Sequence, residues 1–158
     1  MNKQQFKKVE NALYSYNLVK MAIKGQLEEL ERLEIEYEGF SAIGYEERTG
    51  QTYKITSSVE NEVLNKERNL KRLEKNIIAN QKIITMIDNG MELLSSDEKK
   101  LVELKYFTRE KLGWEQIGMR LGFSGDYCRT KLRDKIIDHM HYMLFENPYK
   151  QYSFDDFN

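Results

Sequence analysis

One proline in 158 residues, Pro148, leaves the chain almost free of the residue that most firmly interrupts a helix. Combined with abundant Leu, Ile, Glu and Lys, that scarcity favours long, unbroken helices and an all-α fold. A single cysteine, Cys128, excludes an internal disulfide. With only two histidines, His139 and His141, it offers no familiar zinc-ligand spacing, so neither metal nor cofactor is expected. No apolar run approaches the ~20 residues of a membrane span, and the stretch Met1 to Glu10 is too charged for a signal peptide. The expectation is a cytoplasmic protein without membrane attachment. Neither sign of charge is in excess: Lys+Arg 25 against Asp+Glu 26 gives a net charge of −1, so any attraction to nucleic acid must come from a local patch. Also absent are a glycine-rich phosphate loop, a nucleophile motif and carboxylates or histidines clustered at ligand spacing, which argues against an enzyme.

Hydrophobic repeats fill most of what remains. Steps of three and four residues land on Phe6, Val9, Leu13, Tyr16, Lys20, Ile23, Leu27, Leu30, Glu34 and Tyr37, a seam suited to a helix packed along a narrow stripe. A second seam follows Ser57 and Ser58, where Ser57 and Glu60 have capping-box spacing. It runs through Val59, Val63, Lys66, Leu70, Leu73, Ile77, Asn80, Ile84, Ile87, Met91 and Leu94. Asn80 stands where one buried amide can fix the register of paired helices. Two arrangements satisfy the seams: an intramolecular hairpin, in which they face each other, or a coiled coil with a second chain. If they face only each other, Leu33, Ile35, Ile78 and Ile83 stay off the stripe as material for a homodimer contact.

Residues 38–58 connect the seams and contain Gly39, Gly44 and Gly50. A weak alternation in Tyr45, Glu47, Thr52 and Lys54 around Thr49-Gly50 leaves a short hairpin, a partner-binding arm and a mobile loop all open. Asn89-Gly90 reads as a helix stop, which closes a first domain at residues 1–94.

Residues 95–145 carry the functional expectation. Ser95 and Glu98 form a second capping-box signal, and Leu101, Val102, Leu104 and Phe107 give the apolar face of a short helix. Thr108 to Gly113 is a polar break. A compact helix, Trp114 to Leu121, has Trp114, Ile117 and Leu121 on one side, and the turn Gly122-Phe123-Ser124 follows, with Phe123 plugging the corner. Ser124 is a good N-cap for another helix whose buried line is Cys128, Leu132, Ile136 and Met140. Gly118 permits a close crossing, and Gly122 tolerates the positive φ of the turn. This is helix-turn-helix spacing. The exposed side of its second helix offers Ser124, Gly125, Asp126, Tyr127, Arg129, Thr130, Lys131 and Arg133 to phosphates and base edges in a major groove. Cys128, on the buried line, is a small core residue rather than a reactive thiol.

The run Trp114-Glu115-Gln116-Ile117-Gly118, then Leu121-Gly122-Phe123-Ser124, then Arg129, resembles region four of bacterial sigma factors. With a helical N-terminal half and a glycine-containing middle, the whole chain resembles phage late-gene transcription activators of the ArpU/RinA type. The resemblance implies a regulator of transcription that binds double-stranded DNA through Asp126, Arg129 and Thr130 and meets host RNA polymerase at promoters. Gly125, Tyr127 and Lys131 depart from the sigma pattern, so the promoter sequence does not carry over. Two other readings stay open. A phage terminase small subunit also joins a helix-turn-helix to assembly helices, in the opposite order, and a helical adaptor would bind polymerase without touching DNA. The tail, residues 146–158, follows the Asn147-Pro148 break and is rich in aromatics.

Overall fold

The computed structural model describes residues 2–42 and 55–146, with the side chains of all of these except 37–42, 55–60 and 62. Among the described residues the chain is all-α and contains no strand. Two long helices, α1 (Lys3–Ala42) and α2 (Ile55–Glu92), precede a set of short ones. These are α3 (Ser96–Val102), α4 (Trp114–Leu121), α5 (Gly125–Tyr127) and α6 (Arg133–Phe145). A π-helical turn, Glu103–Phe107, extends α3, and another, Cys128–Leu132, joins α5 to α6 without a break. The hairpin alternatives raised for Tyr45 to Lys54, and the aromatic tail, lie outside the described residues.

The chain forms two compact units: Val19–Lys82, and Met1–Leu18 together with the chain from Ile83 onward. Both boundaries fall inside long helices rather than at Leu94, because the first turns of α1 are core material for the short helices. Val9 and Leu13 are fully buried in one cluster with Ile87, Leu101, Val102, Ile117, Cys128, Ile136, Ile137 and Met140. Polar bonds tie the same elements together. The Tyr16 hydroxyl donates to Asp88 at 2.5 Å, the Tyr106 hydroxyl to Glu10 at 3.0 Å, and the Asn17 amide to the Phe107 carbonyl at 2.6 Å.

In the other unit the helical segments pair as antiparallel partners. Asn80 donates from its side-chain amide to Gln26 Oε1 at 3.0 Å, a register-setting amide bond of the kind its position suggests. The seam on α2 is buried or half-buried from Lys66 to Leu94, with Val63 exposed. That on α1 is displaced beyond Tyr16: Lys20, Leu27 and Glu34 are exposed, while Val19, Gln26 and Leu33 take the inward places. The inward positions keep a seven-residue repeat, Tyr16, Ile23 and Leu30 with Val19, Gln26 and Leu33, so only the alternate member of each pair is displaced, by one residue toward the N-terminus.

Three helix boundaries differ from the sequence reading. α1 runs on to Ala42, past residue 38 where the connector is expected to begin. α2 starts at Ile55, so Ser57 lies inside the helix rather than at its start. Asn89 and Gly90 are also helical. Gly90 serves a close approach instead, since a Cβ there would stand 2.7 Å from Met140 Sδ.

Candidate nucleic-acid interface

Local chemistry builds the helix pair. Ser95 caps α3: its hydroxyl accepts from the Glu98 N–H, and the Glu98 carboxylate accepts from the Ser95 N–H at 2.8 Å. The other carboxylate oxygen of Glu98 pairs with Lys135 Nζ at 2.7 Å, which links α3 to α6. Burial opposes ionisation of Glu98, but the bonds from Lys135 and Ser95 outweigh it and hold the carboxyl below the usual glutamate range. α4 begins with the Gly113 N–H donating to the Gln116 side chain at 2.9 Å. It ends at Gly122, whose φ of +77° is the only positive value among the described residues. The Phe123 N–H then reaches back to the Gly118 carbonyl at 2.9 Å, closing the helix end with a six-to-one bond.

Gly118 is where α4 meets the next helix. A Cβ there would stand 2.6 Å from the Phe123 carbonyl oxygen and 2.8 Å from the Gly125 nitrogen, both backbone atoms. Ser124 caps α5 by accepting from the Tyr127 N–H at 3.2 Å. The predicted buried line Cys128, Leu132, Ile136 and Met140 is buried throughout, and burial pushes the Cys128 thiol up in pKa. His139 is half-buried, with its Nε2 enclosed and without a hydrogen-bond partner among the described residues.

The residues expected to face DNA fall into two groups. Ser124, Asp126, Tyr127, Arg129 and Lys131 are exposed, and Thr130 is half-exposed. Asp126 organises this face: it pairs with Arg129 at 2.8 Å, and its carbonyl accepts from the Thr130 hydroxyl at 2.8 Å. Arg129 and Asp126 are both well exposed, so a phosphate can displace the pairing at little cost.

Gly125 and Arg133 do not belong to that face. Gly125 is buried against the first turn of α4, where a Cβ would stand 2.9 Å from the Glu115 nitrogen. Arg133 is only 26% exposed. Its guanidinium lies 4.8 Å from the Phe6 ring centre and 5.6 Å from that of Trp114, and it bonds Asp134. The cause is the docking of α1, which brings an aromatic ring over a position that looks solvent-facing on α6 alone.

Phe123 does not plug the corner. It is 39% exposed and leans on Tyr127, with ring centres 5.3 Å apart. Met119, 82% exposed on α4, adds a further apolar side chain to the surface of the pair. Sequence reasoning missed Tyr106, Ile137 and, inside the stretch read as a polar break, Leu112 as core residues. Tyr106 lies within a π-helical turn, whose extra residue moves the buried position off the usual helical spacing, and Ile137 widens the buried stripe of α6 beside Ile136.

Among the described residues no group of three or more His, Cys, Asp or Glu side chains is placed to hold a metal ion. No helix there is long and apolar enough to cross a membrane.

Fold and site together define an all-α chain with paired long helices and a compact helix pair near its C-terminal end. The chain belongs to the family described as a protein of unknown function (DUF722), whose model matches residues 6–141. No curated protein matches it, and no solved structure does.

Proposed function

We propose that this protein is a sequence-specific, double-stranded-DNA-binding transcription regulator, and that it acts as a phage or prophage late-gene activator with host RNA polymerase in the bacterial cytoplasm. One observation carries the DNA-binding reading. Two helices cross through Gly118 and turn at a left-handed Gly122, leaving Arg129 and Lys131 exposed on the second. That geometry suits a helix entering a major groove, with Asp126 and Thr130 beside the cations to read or position. The activator role rests on the resemblance to sigma region four and to ArpU/RinA-type proteins.

A homodimer would let two helix pairs meet two half-sites and raise affinity through effective concentration. Ile35 and Ile78, each 64% exposed, and Ile83, at 40%, support that reading as unpartnered apolar surface. Leu33 is half-buried and contributes less.

Selection of bound fragments from random duplex DNA with the full-length protein tests the central claim. An enriched motif that is lost in Arg129→Ala supports it; retention of no duplex at all overturns it. Light scattering at micromolar concentration tests the dimer, and a mass near 18.9 kDa would mark a monomer.

A further inference from the structure

Two lysines at the start of α1, far in sequence from the helix pair, lie beside it in space. Lys3 and Lys7, one turn apart, line a shallow depression together with Phe6, Glu10, Arg133 and Asp134. Both are exposed. Neither has an ion-pair partner among the described residues, whereas the other charges of the depression are engaged. Glu10 accepts from the Tyr106 hydroxyl at 3.0 Å, and Arg133 pairs with Asp134 at 3.3 Å. Tyr106 is a neutral donor and leaves the Glu10 charge in place, so three cations against two carboxylates give this rim one net positive charge, carried by the two ammonium groups that have no ion-pair partner among the described residues.

Their position follows from packing. Val9 and Leu13 anchor α1 in the core, and the Arg133 guanidinium over the Phe6 ring fixes its first turn against α6. Asp134 lies four residues after Thr130 and three after Lys131 on one continuous run of helix, so the depression adjoins the exposed basic face.

We propose that Lys3 and Lys7 belong to the duplex-binding surface and hold backbone phosphates beside the groove that receives the second helix, a role that rests on the DNA-binding reading above. Lysine suits such contacts, because its mobile point charge neutralises a phosphate without reading sequence.

The test uses full-length protein and a short mixed-sequence DNA duplex, with affinity measured by fluorescence anisotropy over a range of salt. Each phosphate contact contributes about 0.9 to the slope of log affinity against log salt. The double variant Lys3→Gln with Lys7→Gln should therefore lose roughly 1.8 units of slope. Lys3→Arg with Lys7→Arg should retain it, and the same charge loss at Arg72→Gln with Lys75→Gln should leave it unchanged. A wild-type slope in the Lys3/Lys7 glutamine variant, alongside a reduced slope in Arg129→Gln with Lys131→Gln, overturns this proposal and leaves the DNA-binding reading standing. An equal loss in the Arg72/Lys75 variant overturns it too, since total charge would then be the cause. Failure of wild-type protein to bind the duplex overturns both.

Discussion

Replacing Gly118 by alanine tests the turn most directly, because the residue's two physical effects oppose each other. In an exposed helix interior, Gly→Ala stabilises by about 0.5–1 kcal/mol, since glycine loses more backbone freedom on folding. At Gly118 the new methyl would stand 2.6 Å from the Phe123 carbonyl oxygen, 2.8 Å from the Gly125 nitrogen and 2.9 Å from the Ser124 carbonyl carbon. All three atoms are backbone, and none can swing aside as a side-chain end would. They are also held in place, by the Phe123-to-Gly118 bond at 2.9 Å and the Ser124 cap at 3.2 Å. Overpacking of this kind costs about 1–3 kcal/mol, so after the helix gain is subtracted the net destabilisation is about 0–2.5 kcal/mol, toward the upper end because the atoms in the way are backbone. At about 2–4 °C per kcal/mol for a chain of this size, the midpoint should fall by up to roughly 10 °C. Gly25 is the matched control, because a Cβ there meets nothing within 4 Å. Gly25→Ala should raise the melting temperature while Gly118→Ala lowers it, and circular dichroism melts of the two variants give the comparison. A Gly118→Ala protein as stable as wild type, beside a stabilised Gly25→Ala, would refute the close crossing.

Three further outcomes follow from the same geometry. Gly122→Ala should destabilise by about 1–2 kcal/mol through its left-handed backbone alone, because a Cβ there meets nothing within 4 Å; Gly122→Asn should cost less, and equal melts for glycine and alanine would show the backbone there to be unstrained. Leu13→Ala should cost about 2–5 kcal/mol and should lower the unfolding midpoint reported by the fluorescence of Trp114, the only tryptophan, although the two residues are distant in sequence. Glu98→Gln keeps an acceptor for the Ser95 N–H but removes the charge facing Lys135. The folded-state pKa of Glu98 is depressed, so its contribution is present above the ordinary value near 4.5 and disappears as pH falls below it. Wild type should therefore be the more stable protein at neutral pH, with the gap in melting temperature closing in acid, and a gap independent of pH would contradict the pairing.

Features governed by local rules were legible in the sequence. The Ser95 and Ser124 caps, the left-handed Gly122, and the buried line from Cys128 to Met140 each depend on neighbours within a turn or two, where residue type and spacing decide the conformation. Legibility failed where a distant segment changes the answer. Arg133 reads as a solvent-facing cation on its own helix, but Phe6 covers it. Gly90 reads as a stop, yet it is small to admit Met140. Gly125 reads as a surface residue and is pressed against α4. The displaced stripe on α1 is a different failure: steps of three and four admit either of two adjacent positions, and the strict repeat leads to Lys20 where apolar Val19 is the inward residue, and to apolar Leu27 where Gln26 is. In the second case the deciding interaction is a polar one, the bond between Gln26 and Asn80, which no hydrophobic count registers.

The covering of Arg133 by Phe6 has a counterpart in the core that bears on where the binding domain begins. Taken from Ser95 onward, the short helices would leave the sites of Val9, Leu13 and Ile87 empty, all three of which are fully buried. Burying such a side chain stabilises by about 1.5–3 kcal/mol, so their removal forfeits roughly 5–9 kcal/mol before any cavity or strain is counted. Small domains have only about 5–15 kcal/mol of total stability. The isolated 95–144 segment is therefore not a folding unit, and its failure to bind DNA would say nothing about the exposed face of Arg129 and Lys131. The smallest piece that preserves the core must include the first 18 residues as well as the chain from Ile83. Because those two pieces are joined only through the whole of α1 and α2, the full chain is the reagent in which the binding surface can be measured.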